Sequence, residues 1–191
     1  MFSTFGTKRV RRENQAGLSM IELLIAMLVL AVGMMGSMIL VRTAIVNNNR
    51  NKLDTTATAL AQMVLEQINS QPASATTIFQ ITDCTGVASN VNPTMAAAPG
   101  AGATLIQPPN FNAGNIDFSQ DYAAVPAGYA MQYITCGPAN AQVTYEIRWN
   151  VTQMTGFTKL VTVSARKRVA TTTSALPFFT VPVTLRGVGG Q

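Results

Sequence analysis

The hydrophobic and polar positions divide the chain into stretches of different period. Residues 1–17 are mostly polar and carry Lys8, Arg9, Arg11 and Arg12 against Glu13. Residues 18–41 then contain no charge except Glu22. At 1.5 Å per residue, these roughly 24 residues reach about 36 Å as a helix, enough to cross a hydrocarbon core of about 30 Å. An ordinary secretory signal has an apolar region of about 7–15 residues followed by a small-x-small cleavage site. This run is longer, and no Ala-x-Ala site directly follows it. With no cysteine near its start, a lipoprotein anchor is not indicated.

The apolar run then changes character. Leu53, Ala57, Leu60, Val64 and Ile68 recur at spacings of three and four, and Thr55, Thr58, Gln62, Glu66 and Gln67 fall mostly on the other faces. That spacing predicts an amphipathic helix whose apolar stripe needs a cover. Pro72 and the small polar residues after it mark a stop. One helix is therefore expected over 18–71, membrane-spanning over about 18–41, with an exported globular part over 72–191. Gly33 and Gly36 interrupt the apolar half. They have two readings: glycines of the kind membrane helices commonly tolerate, or a place where the helix bends or melts during assembly, each glycine costing about 1 kcal/mol of helix preference.

Residues 76–128 are rich in Ala, Asn, Pro and Gly with little periodicity, and read as turns and surface loop. Over 143–152, Val143, Tyr145, Ile147, Trp149 and Val151 alternate with Thr144, Glu146, Arg148, Asn150 and Thr152. This predicts a strand with one apolar and one polar face. After a turn at Gly156, residues 159–169 form the next strand, so a β-hairpin is expected over about 142–169, with the Trp149 face against the amphipathic helix. A third strand is expected near 178–185, where Pro182 puts it at an edge or breaks it. The tail 187–191 is expected to fray. The fold class is α+β: a long N-terminal helix packed on a small antiparallel sheet.

Charge and cysteine content refine this outline. The formal charge of +5 falls to about +2 once the basic leader is set aside, so the high pI is largely a property of the leader and does not call for a nucleic-acid partner. Basic residues before the span favour a cytoplasmic N-terminus, although Arg42, Arg50 and Lys52 follow it. The remainder would then enter an oxidising compartment, where Cys84 and Cys136 are expected to pair rather than remain free thiols. The bond would close a loop of about 53 residues, worth roughly 4 kcal/mol on the chain-entropy model.

Gly17-Leu18-Ser19-Met20-Ile21-Glu22 resembles the cleavage and methylation signal of type IV prepilins and their type II secretion relatives. Followed by Leu23-Leu24-Ile25-Ala26-Met27, it looks most like the PilV-like minor pilin group. The likeness covers about the first 50 residues, and beyond them the chain shares only an architecture with that family. The resemblance implies that a prepilin peptidase cuts between Gly17 and Leu18 and N-methylates Leu18, where the family most often has Phe. It implies that the protein sits in the inner membrane with its C-terminal domain in the periplasm, then joins other major and minor pilins in a fibre. In such a fibre Glu22 of one subunit would face the N-terminal cation of a neighbour. A pair at about 4 Å is worth roughly 4 kcal/mol at an effective dielectric of 20, before desolvation is subtracted. The simpler reading is an acid in the first turn, favoured by the helix dipole. The function implied is that of a minor pilin in pilus assembly, priming or tip structure. The alternative is a type II secretion minor pseudopilin. A single-span exported ligand-binding protein would keep its leader intact.

No enzyme, cofactor, metal site, small-molecule substrate or nucleic-acid partner is expected. The chain has no histidine, which removes Ser-His-Asp, Cys-His and histidine-metal chemistry. Ser164-Ala165-Arg166-Lys167 fits Ser-x-x-Lys but lies in an expected strand, without the accompanying motifs. Asn115, Asp117 and Asp121 offer oxygen ligands for calcium but match no EF-hand spacing, and solvated loop acids are the expected reading. Arg166, Lys167 and Arg168 form a short basic run that strand alternation would split between two faces.

Overall fold

The computed structural model describes residues 19–106, 114–138, 141–168 and 181–190. A 50-residue helix, α1 (Met20–Asn69), runs through Gly33 and Gly36 without a break. The chain divides into two compact units, the first ending at Asn48 and the second starting at Asn49. In the first unit every described helical residue is exposed. In the second, α1 buries Ala57, Leu60, Ala61, Val64 and Ile68, four of them members of the expected stripe. Leu53 is half-buried and packs on the same cluster.

Nine strands follow among the described residues: β1 (Phe79–Thr82), β2 (Ala88–Val91), β3 (Ala101–Gly102), β4 (Leu105–Ile106), β5 (Asn115–Ile116), β6 (Ala130–Ile134), β7 (Thr144–Gln153), β8 (Lys159–Lys167) and β9 (Val183–Gly189). β1 and β2 form a hairpin, and β4 pairs with β5. The main sheet is antiparallel, in the order β3-β7-β8-β9, with β6 also pairing with β7. The expected hairpin is β7–β8, in a register that places Trp149 opposite Val163. The described part of its second strand ends at Lys167, and Val169 lies outside the described residues.

Alternation sends Tyr145, Ile147, Trp149 and Val151 to the face that shares a core with α1. Trp149 is fully buried, and its indole N–H donates to Asn92 O at 3.1 Å. Tyr145 Oη donates to Leu53 O of the helix at 3.2 Å. Fully burying one Leu, Ile or Val side chain stabilises the fold by about 1.5–3 kcal/mol, and this cluster joins the helix stripe to residues of β1, β2, β5, β6, β7 and β8.

Two expectations need correction, and one feature of β7 lay beyond its pattern. The polar face of β7 is covered: Glu146, Arg148 and Asn150 are buried along with the apolar positions. Asp117 and Gln120 accept from Arg148 on this face, and Asn150 Nδ2 donates to Ala103 O, just past β3, at 3.0 Å. The tail does not fray through 187–189. Gly187, Val188 and Gly189 pair with Val161, Leu160 and Lys159. A Cβ on Gly187 would lie 2.6 Å from Asn69 Nδ2 and 3.2 Å from Leu65 Cδ1, so glycine lets the end of α1 rest directly on the strand. The 76–128 region is not loop alone. It contains β1 to β5, with Val91, Ala103 and Ile116 in the core. These strands have two to four residues, too few to show a period. The third strand begins just after Pro182 and lies at the sheet edge. Its expected first residues, 178–180, lie outside the described residues, as do 107–113.

Candidate functional site

The helix entrance is built by Ser19. Its carbonyl accepts the N–H groups of Glu22 at 2.9 Å and Leu23 at 3.1 Å, and its Oγ accepts from Ile21 N at 3.3 Å. This satisfies N–H groups that a helix start otherwise leaves open. It also sets Glu22 in the first turn, where the positive end of the helix dipole favours an anion. Among the described residues the Glu22 carboxylate has no hydrogen-bond or ion-pair partner. Gly17 and Leu18, the expected processing positions, lie outside the described residues.

From Leu23 to Val41 the helix presents an apolar surface on every side. Met20, Leu24, Leu28, Met34, Met38 and Leu40 are all more than 60% exposed. Such an area is incompatible with water as the only surrounding. Its few hydroxyls are satisfied internally: Ser37 Oγ donates to Met34 O at 2.8 Å and Thr43 Oγ1 to Ile39 O at 2.9 Å. Those back-bonds let polar side chains sit in hydrocarbon without an open donor. The helix is long and apolar enough to cross a membrane.

In the second unit the cysteines do pair: Cys84 is bonded to Cys136, with Cα atoms 5.0 Å apart. Ser164 and Lys167 are not brought together. They stand three apart on β8 and so project to opposite faces, while Ser164 Oγ donates to Val183 O at 2.9 Å. The three candidate calcium ligands have other engagements. Asn115 Oδ1 accepts from Arg186 at 3.0 Å, Asp117 accepts from Ser119 N and Oγ at 2.7 and 2.6 Å, and Asp121 caps the short turn Tyr122–Ala124. The Ser119 bonds hold the Asp117 carboxyl below its ordinary range. The basic run is split: Arg166 turns onto Glu146 at 2.9 Å and lies over the Phe118 ring, while Lys167 belongs to the opposite face.

Two features had escaped the sequence reading. Glu146 ion-pairs with both Arg148 and Arg166 under the 117–122 stretch, and Arg148 also donates to Asp117 O at 3.1 Å and Gln120 O at 2.8 Å. The i, i+2 spacing of Glu146 and Arg148 placed them on one face; nothing in the pattern marked that face as covered. Lys159 is fully buried, and its Nζ donates to Gln71 O at 3.1 Å and Pro72 O at 3.3 Å, just past the end of α1. The helix has no basic residue in its own last turn, so β8 supplies the cation. Burial lowers the Lys159 pKa.

Residues 12–38 match the family model described as the prokaryotic N-terminal methylation motif. The chain carries a type IV pilin-like prepilin signal. The match does not specify the PilV-like subgroup. No curated protein and no solved structure matches the chain at significance. The prepilin signal spans the Ser19 cap, Glu22 and most of the exposed apolar helix. Beyond it the second unit supplies a pilin-like architecture, a long helix on a small antiparallel sheet. The motif's family is structural rather than catalytic.

Proposed function

We propose that this chain is a minor pilin, processed between Gly17 and Leu18 and assembled with other pilins into a type IV pilus. The observation that carries the reading is the prepilin signal lying on a helix that is apolar and exposed on all sides, with a single acid in its first turn. Such a helix needs hydrocarbon or other apolar helices around it, and the family exchanges one for the other during assembly. Cutting after Gly17 creates a secondary amine on Leu18 after methylation, a cation within reach of a neighbour's Glu22. Desolvation offsets much of the attraction, so the pair sets register between subunits more than it adds stability. Its domain anatomy would be leader 1–17, helix 18–71 and exported domain 72–191. Before assembly the protein would sit in the inner membrane with its C-terminal domain in the periplasm, which suits the cystine.

Glu22→Ala tests the assembly step. The variant is expected to reach the membrane at wild-type levels and to be depleted from sheared fibres by about tenfold, the ratio that loss of about 1.4 kcal/mol would produce. Normal incorporation would refute the register role. Deleting the gene is expected to reduce surface fibres; intact fibres with lost protein secretion would instead assign the chain to a type II secretion pseudopilus.

A further inference from the structure

Cys84 lies in the turn between β1 and β2, and Cys136 follows β6. The residue just before Cys84 is a buried aspartate. Asp83 Oδ1 accepts from Thr85 N at 2.8 Å, Thr85 Oγ1 at 2.7 Å and Val87 N at 3.0 Å. Its other oxygen, Oδ2, reaches Ile134 N of β6 at 3.4 Å. The backbone repeats the link, with Cys84 N donating to Ile134 O at 3.3 Å and Asp83 N to Val87 O at 3.0 Å. One carboxylate therefore shapes the turn that carries Cys84 and fastens it to the strand that leads to Cys136. The cystine joins the same two segments by a covalent bond. Neither residue of the cystine is buried, and β1 and β2 form a sheet of their own that meets β6 through the core at Ile81, Val91 and Met131, so the Asp83 bonds act locally at the exposed turn.

We propose that Asp83 is a positioning residue for the cystine: its carboxylate holds the Cys84 turn against β6 in the reduced protein, so that the two thiols meet before they are joined. This goes beyond the pilin reading and does not depend on it. In the exchange, the Cys84 and Cys136 thiols lose two protons and two electrons to a disulfide oxidant. With glutathione disulfide, one Cys84–Cys136 bond forms, one S–S bond of the oxidant breaks, and two molecules of glutathione leave. A clamp present in the reduced state removes part of the entropy that ring closure would otherwise cost. By linkage, whatever Asp83 contributes to closure the closed cystine returns to the Asp83 turn.

The test is the redox equilibrium of the full chain in detergent micelles, titrated with glutathione and glutathione disulfide, with thiols counted after alkylation. Fluorescence of Trp149, the only tryptophan, reports at each point that the core is folded. Asp83→Asn keeps the side-chain shape and is expected to lower the oxidation constant at least about tenfold, since bonds to a charged acceptor are the stronger class. Asp117→Asn removes a similar turn carboxylate remote from the cystine and is expected to leave that constant within about twofold of wild type. An unchanged constant in Asp83→Asn, or an equal fall in Asp117→Asn, overturns the proposal. If Asp83→Asn loses the Trp149 signal, Thr85→Ala removes one of the clamp's bonds and is expected to lower the constant about threefold; no change there is equally decisive against it.

Discussion

The two halves of α1 share one backbone geometry and have opposite surroundings. Residues 20–41 present Leu, Ile, Met and Val outward in every direction, whereas from Leu53 onward the apolar residues gather on a stripe that the sheet covers. Helix formation is thus not what distinguishes them; the distribution of apolar side chains around the axis is. An all-round apolar helix finds its stabilising contacts in lipid or in other helices. A striped one finds them inside its own domain. The same contrast separates the two acids that matter most. Glu22 has no partner among the described residues of its own chain, while Glu146 holds two guanidiniums under a covering segment.

The comparison predicts that equivalent truncations act very differently in the two regions. Trp149→Ala empties the centre of the core and is expected to destabilise the domain by about 3–5 kcal/mol in thermal or denaturant unfolding. Leu24→Ala is expected to leave that unfolding unchanged. Similar losses from both would mean that the first half of the helix contributes to the domain's own stability.

A somewhat smaller effect is expected at the buried charges. Glu146→Gln preserves shape but leaves Arg148 without its counter-ion. A cost of about 3 kcal/mol follows, at the low end for a broken buried pair because Arg166 is 30% exposed and rehydrates. Denaturant unfolding of the variant measures it, and a shift below about 1 kcal/mol would mean that the covering segment lifts to admit water.

The smallest effect is a dependence on acid. Hydrogen bonds from Thr85 and Ser119 hold the Asp83 and Asp117 carboxyls below their ordinary value of 3.8. In the unfolded chain they take up protons first. Their contribution is therefore complete above about pH 3.8 and is lost as the pH falls through the lower folded-state values. Unfolding midpoints measured from pH 6 down to pH 2 should drop more steeply in the wild type than in the Asp83→Asn, Asp117→Asn double variant.

Much of this architecture was legible before the structure, for reasons tied to length. A stripe repeated over five positions in α1 and a ten-residue alternation in β7 average out local irregularities. Strands such as β3, with two residues, carry no period, and their pairing is fixed by partners distant in sequence. The cover over the polar face was not legible because alternation reports which residues share a side, not what lies over that side. Gly187 and Gly189 resembled a loose end because the reason for glycine, contact with Asn69, is created only by the fold. The cystine was readable because two cysteines allow only one pairing. The Asp83 clamp beside it was not, since a lone aspartate in a turn has many commoner roles. The prepilin signal was read from residues contiguous in the chain, because a processing enzyme acts on local sequence rather than on a folded surface.

The most direct test is N-terminal mass spectrometry of the protein isolated from native membranes and sheared fibres. The account predicts a mature chain whose first residue is N-methylated Leu18. A chain that retains the basic residues 1–17 and is absent from fibres would contradict it.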